Sequence, residues 1–145
     1  MAEGILRSML GETGVIHISS AGTHALQGNP ASEFALIASS EQGIDISGHR
    51  ARALDEKLIR ENTMILCMEP LHIEWILSLD SSAGKSVYSL PAFLENSKLK
   101  KIPDPYGSSL REYRECFAAI HGCITRFIDT IAREGSLPDT VTKNA

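Results

Sequence analysis

The stretch Thr63-Met64-Ile65-Leu66-Cys67-Met68 constrains this chain more than any other six residues. A strand with one wet face alternates apolar and polar side chains. This run does not alternate, so it belongs in a parallel sheet covered on both faces. Glu69-Pro70 ends it, and Leu71 to Leu79 follows as a helix packing through Leu71, Trp75 and Leu79. The remaining elements alternate in the same manner. Ile5, Leu6, Met9 and Leu10 give a helix over 2–10 with Gly11 as its stop, although no capping residue precedes it. Val15 to Ser19 is short and β-branched and reads as a strand. A helix runs from Pro30 to about Gln42, ended by Gly43, and a short one lies near Leu54–Glu61. Val87 to Leu90 is a further strand, followed by a helical piece at Pro91–Asn96. Finally Leu110, Tyr113, Phe117, Ile120, Ile124, Phe127 and Ile131 form one apolar stripe along a helix of about 25 residues. Ser109 and Glu112 have capping-box spacing at its start. Strands alternating with helices give an α/β fold, whose ligands bind beyond the carboxyl ends of the strands. The loops to inspect are 19–30, 69–71 and 91–108.

A chain of 145 residues suits one domain, here residues 1–135, with 136–145 lacking periodicity and reading as a frayed tail. Fourteen basic against eighteen acidic residues leave a net charge of −4, which provides no global field for nucleic acid or an anionic membrane. The longest nearly apolar run, Ile73 to Leu79, is far shorter than the ~20 residues of a membrane helix. Three cysteines, Cys67, Cys116 and Cys123, make an odd count with no Cys-x-x-Cys pair, so a reducing cytoplasm is the expected compartment. On one helix Cys116 and Cys123 would stand about 10 Å apart, too far for a disulfide.

Gly84-Lys85-Ser86 resembles the tail of a Walker loop, but Leu79 stands where that motif needs its first glycine, and the segment precedes a strand. His17, His24, His72 and His121 lack metal-ligand spacing, so neither a metal nor another cofactor is expected. Ser20-Ala21-Gly22-Thr23 is a hydroxyl-bearing turn after the first expected strand. His49, between Gly48 and Arg50, reads as a base, a hydrogen-bonding brace or a surface residue. In Ile102-Pro103-Asp104-Pro105-Tyr106 two prolines stiffen the backbone around one carboxylate with a ring two positions on. That is either a turn before the long helix or a fixed proton donor beside an aromatic wall.

Taken in order, Met1-Ala2-Glu3, Ser20-Ala21-Gly22-Thr23, Gly28-Asn29-Pro30-Ala31, His49-Arg50-Ala51-Arg52, Ile65-Leu66-Cys67-Met68 and Asp104-Pro105-Tyr106 resemble the low-molecular-weight protein tyrosine phosphatase family. The resemblance runs over about residues 1–135. It implies a three-layer fold with a parallel four-stranded sheet of order 2-1-3-4. It also implies metal-free hydrolysis of phosphotyrosine in a protein or peptide through a cysteinyl-phosphate intermediate, by a monomer or weak homodimer. On the same resemblance Asp104 is the general acid and base, Tyr106 lines the substrate cleft, and Ser20 and His49 brace the phosphate loop. That loop has the form Cys-x₅-Arg-Ser, and in the family it precedes the Met-Ala-Glu helix together with the first, central strand. Six residues beyond Cys67, Cys116 and Cys123 stand Ile73, Gly122 and Asp129, so no Cys-x₅-Arg occurs in this sequence. The chain is therefore expected to lack that strand and loop and to be inactive by itself. An arsenate reductase of the same fold and a non-catalytic remnant that binds a partner are the alternatives.

Overall fold

A computed structural model describes residues 1–11, 16–94 and 99–134. In it, α1 (Ala2–Leu10) ends at Gly11, whose φ of 68° suits a residue without Cβ and whose N–H donates to the Arg7 carbonyl. Next come α2 (Glu33–Ser40), α3 (Glu56–Glu61), β1 (Ile65–Cys67), α4 (Pro70–Leu79), β2 (Val87–Ser89) and α5 (Leu110–Glu134). Short 3₁₀ turns cover Ser81–Lys85 and Leu90–Phe93. Among the described residues α1 has its expected bounds, α2 begins at Glu33 rather than Pro30 and ends at Ser40, α3 begins at Glu56 rather than Leu54, and α4 begins one residue early at Pro70. The helical piece expected at Pro91–Asn96 is the 3₁₀ turn Leu90–Phe93, and Glu95 and Asn96 lie outside the described residues. The capping box at α5 is formed, with the Glu112 carboxylate accepting from the N–H and hydroxyl of Ser109 at 2.8 Å each.

The sheet differs from expectation. β1 and β2 pair in parallel, Ile65 with Val87 and Cys67 with Ser89, and they form a two-stranded sheet rather than the four strands expected. Residues 16–19 are not a strand; Val15 and the tail at 136–145 lie outside the described residues. Strand structure needs a ladder partner, and residues 16–20 have none among the described residues. Arginine side chains meet two of their carbonyls instead: Arg7 donates to the Ile18 oxygen at 2.7 Å and Arg52 to the Ser20 oxygen at 2.8 Å.

The described residues fall into two compact units. The first comprises, of the described residues, 1–11, 16–53 and 104–121. Its core gathers Ala35, Ala38, Ile46 and Tyr113, with Met1, Ala31, Leu36 and Ile44 packed against them. Helix α2 is held at both ends. At its start the Ser32 hydroxyl bonds Tyr113 Oη at 3.0 Å, and beyond its end Glu41 receives a two-pronged contact from Arg114 at 2.8 and 2.6 Å. The second unit comprises, of the described residues, 54–94, 99–103 and 122–134. Its core gathers Ile59, Cys67, Ile76, Ala83 and Val87, and Phe93 meets Phe127 edge to face at 5.2 Å.

Gly4 sits where α1 packs on residues 44–46. A Cβ there would lie 2.5 Å from Ile46 Cγ2 and 3.0 Å from Ile44 Cγ2. Gly4→Ala gains helix propensity of about 1 kcal/mol but overpacks by about 1–3 kcal/mol. We expect a lower midpoint in urea for this variant, whereas a raised midpoint would show that α1 does not pack this closely.

Candidate active site

Within the first unit, residues from α1, from 17–20 and from 45–52 surround a cavity of about 450 Å³. The chain reaches it by fixed turns. Loop 20–29 is tied to 51–53 by Gly22 N–H to the Arg52 carbonyl (3.0 Å), Gly28 N–H to Ala51 (2.7 Å) and Ala51 N–H to Asn29 (2.8 Å). Gly28 has a φ of 83°, in the left-handed region that favours glycine. Arg50 staples its own loop, donating to the carbonyls of Ser47 and His49 at 3.2 and 2.7 Å.

The centre of this arrangement is a carboxylate. Glu3 Oε2 accepts the Ser20 hydroxyl at 2.5 Å and lies 3.6 Å from His49 Nδ1, while Oε1 pairs with Arg7 at 2.9 Å. The His49 distance exceeds hydrogen-bond reach, so it is a charge contact when the imidazole is protonated. Because its proton is committed to Glu3, Ser20 can present only oxygen lone pairs to whatever it meets next. The structure thus brings together Ser20 and His49, two of the four residues singled out in the sequence. Glu3, which joins them, stands in the sequence only as part of the Met1-Ala2-Glu3 motif. The signal for it was the Glu3–Arg7 pair at i, i+4 on a helix.

Asp104 and Tyr106 make a separate local arrangement and are not among the cavity's lining residues. Asp104 Oδ1 accepts the Tyr106 N–H at 3.0 Å, and Ser108 N–H closes the next turn onto the Pro105 carbonyl at 2.9 Å. Gly107, at φ 80°, allows that turn. The carboxylate is exposed and the Tyr106 ring is 76% exposed, so an acid and a flat apolar surface face solvent from one rigid loop.

These features match known proteins. The family model described as "Low molecular weight phosphotyrosine protein phosphatase" covers residues 1–137. This chain belongs to that family. Among its relatives is the low molecular weight protein-tyrosine-phosphatase Wzb of Escherichia coli K12, 33% identical over 111 residues, which are 77% of this chain and 71% of Wzb. The Etp phosphatase of the same strain is 29% identical over 111 residues, covering 77% of this chain and 70% of Etp. Among solved structures, the tyrosine phosphatase Wzb from Escherichia coli K30, in complex with sulphate, superposes with a TM-score of 0.81 at 27% identity, covering 90% of this chain and 87% of that one. The YwlE arginine phosphatase from Geobacillus stearothermophilus gives 0.81 at 26% identity, covering 92% and 84%.

The cysteines of this family member are poorly disposed to attack. All three are buried and in no disulfide. Burial pushes the Cys67 thiol up to about 12 and the Cys123 thiol up to about 11. Burial, with the added charge of Asp104, pushes Cys116 up to about 11. A nucleophilic thiolate needs the opposite shift. Among the described residues no group of three His, Cys, Asp or Glu could hold a metal ion, and no helix is long and apolar enough to cross a membrane.

Raised folded-state values imply a sign. Unfolded thiols ionise near pH 8.5 while the folded ones keep their protons, so this contribution to stability is whole below that pH and is lost as the pH rises toward 11–12. We expect iodoacetamide at pH 8 to label no cysteine in the folded chain and all three in urea. Rapid labelling of one cysteine in the native protein would contradict its burial.

Proposed function

We propose that this chain carries the proton-donating and bracing parts of an aryl phosphomonoesterase that acts on phosphotyrosine-bearing proteins or peptides, and that the 145 residues alone do not turn over. The observation that supports both halves is the contrast between its acid and its thiols. Asp104 is exposed in a rigid turn beside an exposed ring, whereas all three cysteines are buried and protonated, with no arginine six residues on.

In this reading the Tyr106 ring stacks on the aryl group, and Asp104 gives its proton to the phenolic oxygen as the bond to phosphorus breaks. It later takes a proton from the water that hydrolyses the cysteinyl phosphate. Ser20 and His49, gathered by Glu3, steady the loop that presents the thiolate and cradles the phosphoryl oxygens. The loop that supplies this thiolate has the form Cys-x₅-Arg. The arsenate-reductase alternative needs a second thiol able to reach the first, and buried protonated cysteines serve that step poorly.

The test is hydrolysis of para-nitrophenyl phosphate. We expect no release above background from the 145 residues. Turnover by this chain that Asp104→Asn abolishes would overturn the claim that it lacks a nucleophile. In a chain extended ahead of Met1 by an apolar strand and a Cys-x₅-Arg-Ser-Pro loop, we expect turnover that Asp104→Asn lowers about 10²–10⁴-fold without changing the far-ultraviolet dichroism. Turnover indifferent to that substitution would remove Asp104 from the acid role. A folded, extended chain without turnover would favour a binding module.

A further inference from the structure

Helix α4 turns outward much of the face that its sequence pattern directs inward. Leu71, Trp75 and Leu79 are the expected packing positions. The core of the second unit instead takes Ile76, with Ile73 and Leu79 against it, and leaves Leu71 63% and Trp75 43% exposed. Glu74, Trp75 and Ser78 stand three, four and seven residues beyond Leu71, so the four share one stripe of the helix, and all four are exposed. A single exposed leucine is ordinary surface. A leucine beside the chain's one tryptophan is a broader apolar patch, and tryptophan is among the side chains in which the binding energy of interfaces concentrates.

The polar groups on this stripe decide what fits it. Ser78 donates its hydroxyl to the Trp75 carbonyl at 2.7 Å, so the helix itself satisfies that donor. Glu74 is different. Of the six carboxylates between residues 54 and 80, five are engaged: Asp55 accepts the Leu58 N–H, Glu56 and Asp80 meet Arg60, Glu61 meets Lys57, and Glu69 meets Lys101. Glu74 has no such contact among the described residues, and α4 contains no lysine or arginine. The stripe therefore offers one uncompensated negative charge next to two apolar side chains.

We propose that this face of α4 is a docking site for a protein segment that presents an arginine together with an aliphatic side chain, as a basic amphipathic helix does. The guanidinium pairs with Glu74 while its plane stacks on the Trp75 ring, and the aliphatic group covers Leu71. Lysine fits less well, because an ammonium has no planar surface to stack. An acidic segment is repelled by Glu74 and finds no cation on the helix. Four residues on one helix make a contact far smaller than a standard stable interface, so the affinity is modest. This inference concerns the second unit and does not rest on the phosphatase reading.

As the chain's one tryptophan, Trp75 reports its own occupancy. The experiment follows its emission while the 145-residue chain is titrated with an alanine-based helical peptide of about 16 residues that bears leucine and arginine on one face, and with the same peptide carrying glutamate for arginine. We expect the arginine peptide to move the emission to shorter wavelength along a saturable curve with a Kd of about 10–100 μM, and the glutamate peptide to leave it unchanged. Glu74→Lys reverses the charge at an exposed position and is expected to weaken binding about tenfold or more. Leu71→Ser is expected to weaken it as well, with unchanged far-ultraviolet dichroism. If one variant fails to fold, the other decides. No shift up to about 1 mM arginine peptide, an equal response to the glutamate peptide, or an affinity indifferent to either folded variant would overturn the proposal. So would an emission shift that grows with protein concentration in the absence of peptide, which would assign the face to a second copy of the chain.

Discussion

The first unit depends on one carboxylate. Glu3 joins three stretches that are distant in sequence: α1, which carries it, the segment ending at Ser20, and the loop bearing His49. Its side chain is only 20% exposed, so its charge is partly desolvated and its contacts are worth more than those of a surface pair. Each partner is also anchored elsewhere. Arg7 reaches the Ile18 carbonyl, Arg52 reaches Ser20, and Arg50 pins the loop around His49. The outcome is a cavity whose polar wall is held in place by its own contacts.

The chemistry then divides by burial. Under the proposed function a proton donor needs exchange with solvent and a fixed direction; Asp104 is exposed, and its bond to the Tyr106 N–H and the glycine-bearing turn behind it fix its direction. The thiols occupy core positions: Cys67 lies among Ile59, Ile76 and Val87, and Cys123 is fully buried on α5. Their raised pKa values are the ordinary result of filling a core with sulfur. They act as small apolar side chains.

Much of this was legible in the sequence. The stripe from Leu110 to Ile131 gave α5 its 25 residues, and Ser109 with Glu112 marked its start, because periodicity and capping are local properties. The unalternating run at 63–68 marked β1, although only Ile65–Cys67 pair. The strand expected at Val15–Ser19 did not form over its described residues. β-propensity describes a side chain's fitness for a sheet, and a strand also requires a neighbour with free hydrogen-bonding groups. Ser20 and His49 could be singled out by motif, but their meeting at Glu3 could not, since it joins positions 17 and 46 residues away through tertiary packing. The arginines at 7 and 52 were likewise opaque, because their bonds go to carbonyls, which sequence does not distinguish.

The measurement that tests this account most directly is a double-mutant cycle in urea unfolding between Glu3→Gln and Ser20→Ala. A hydroxyl donating to a partly buried carboxylate at 2.5 Å predicts a coupling of about 1 kcal/mol or more, so that the second substitution costs little once the first is made. Additive losses, with coupling within about 0.3 kcal/mol of zero, would contradict the claim that Glu3 holds Ser20 and with it the wall of the site.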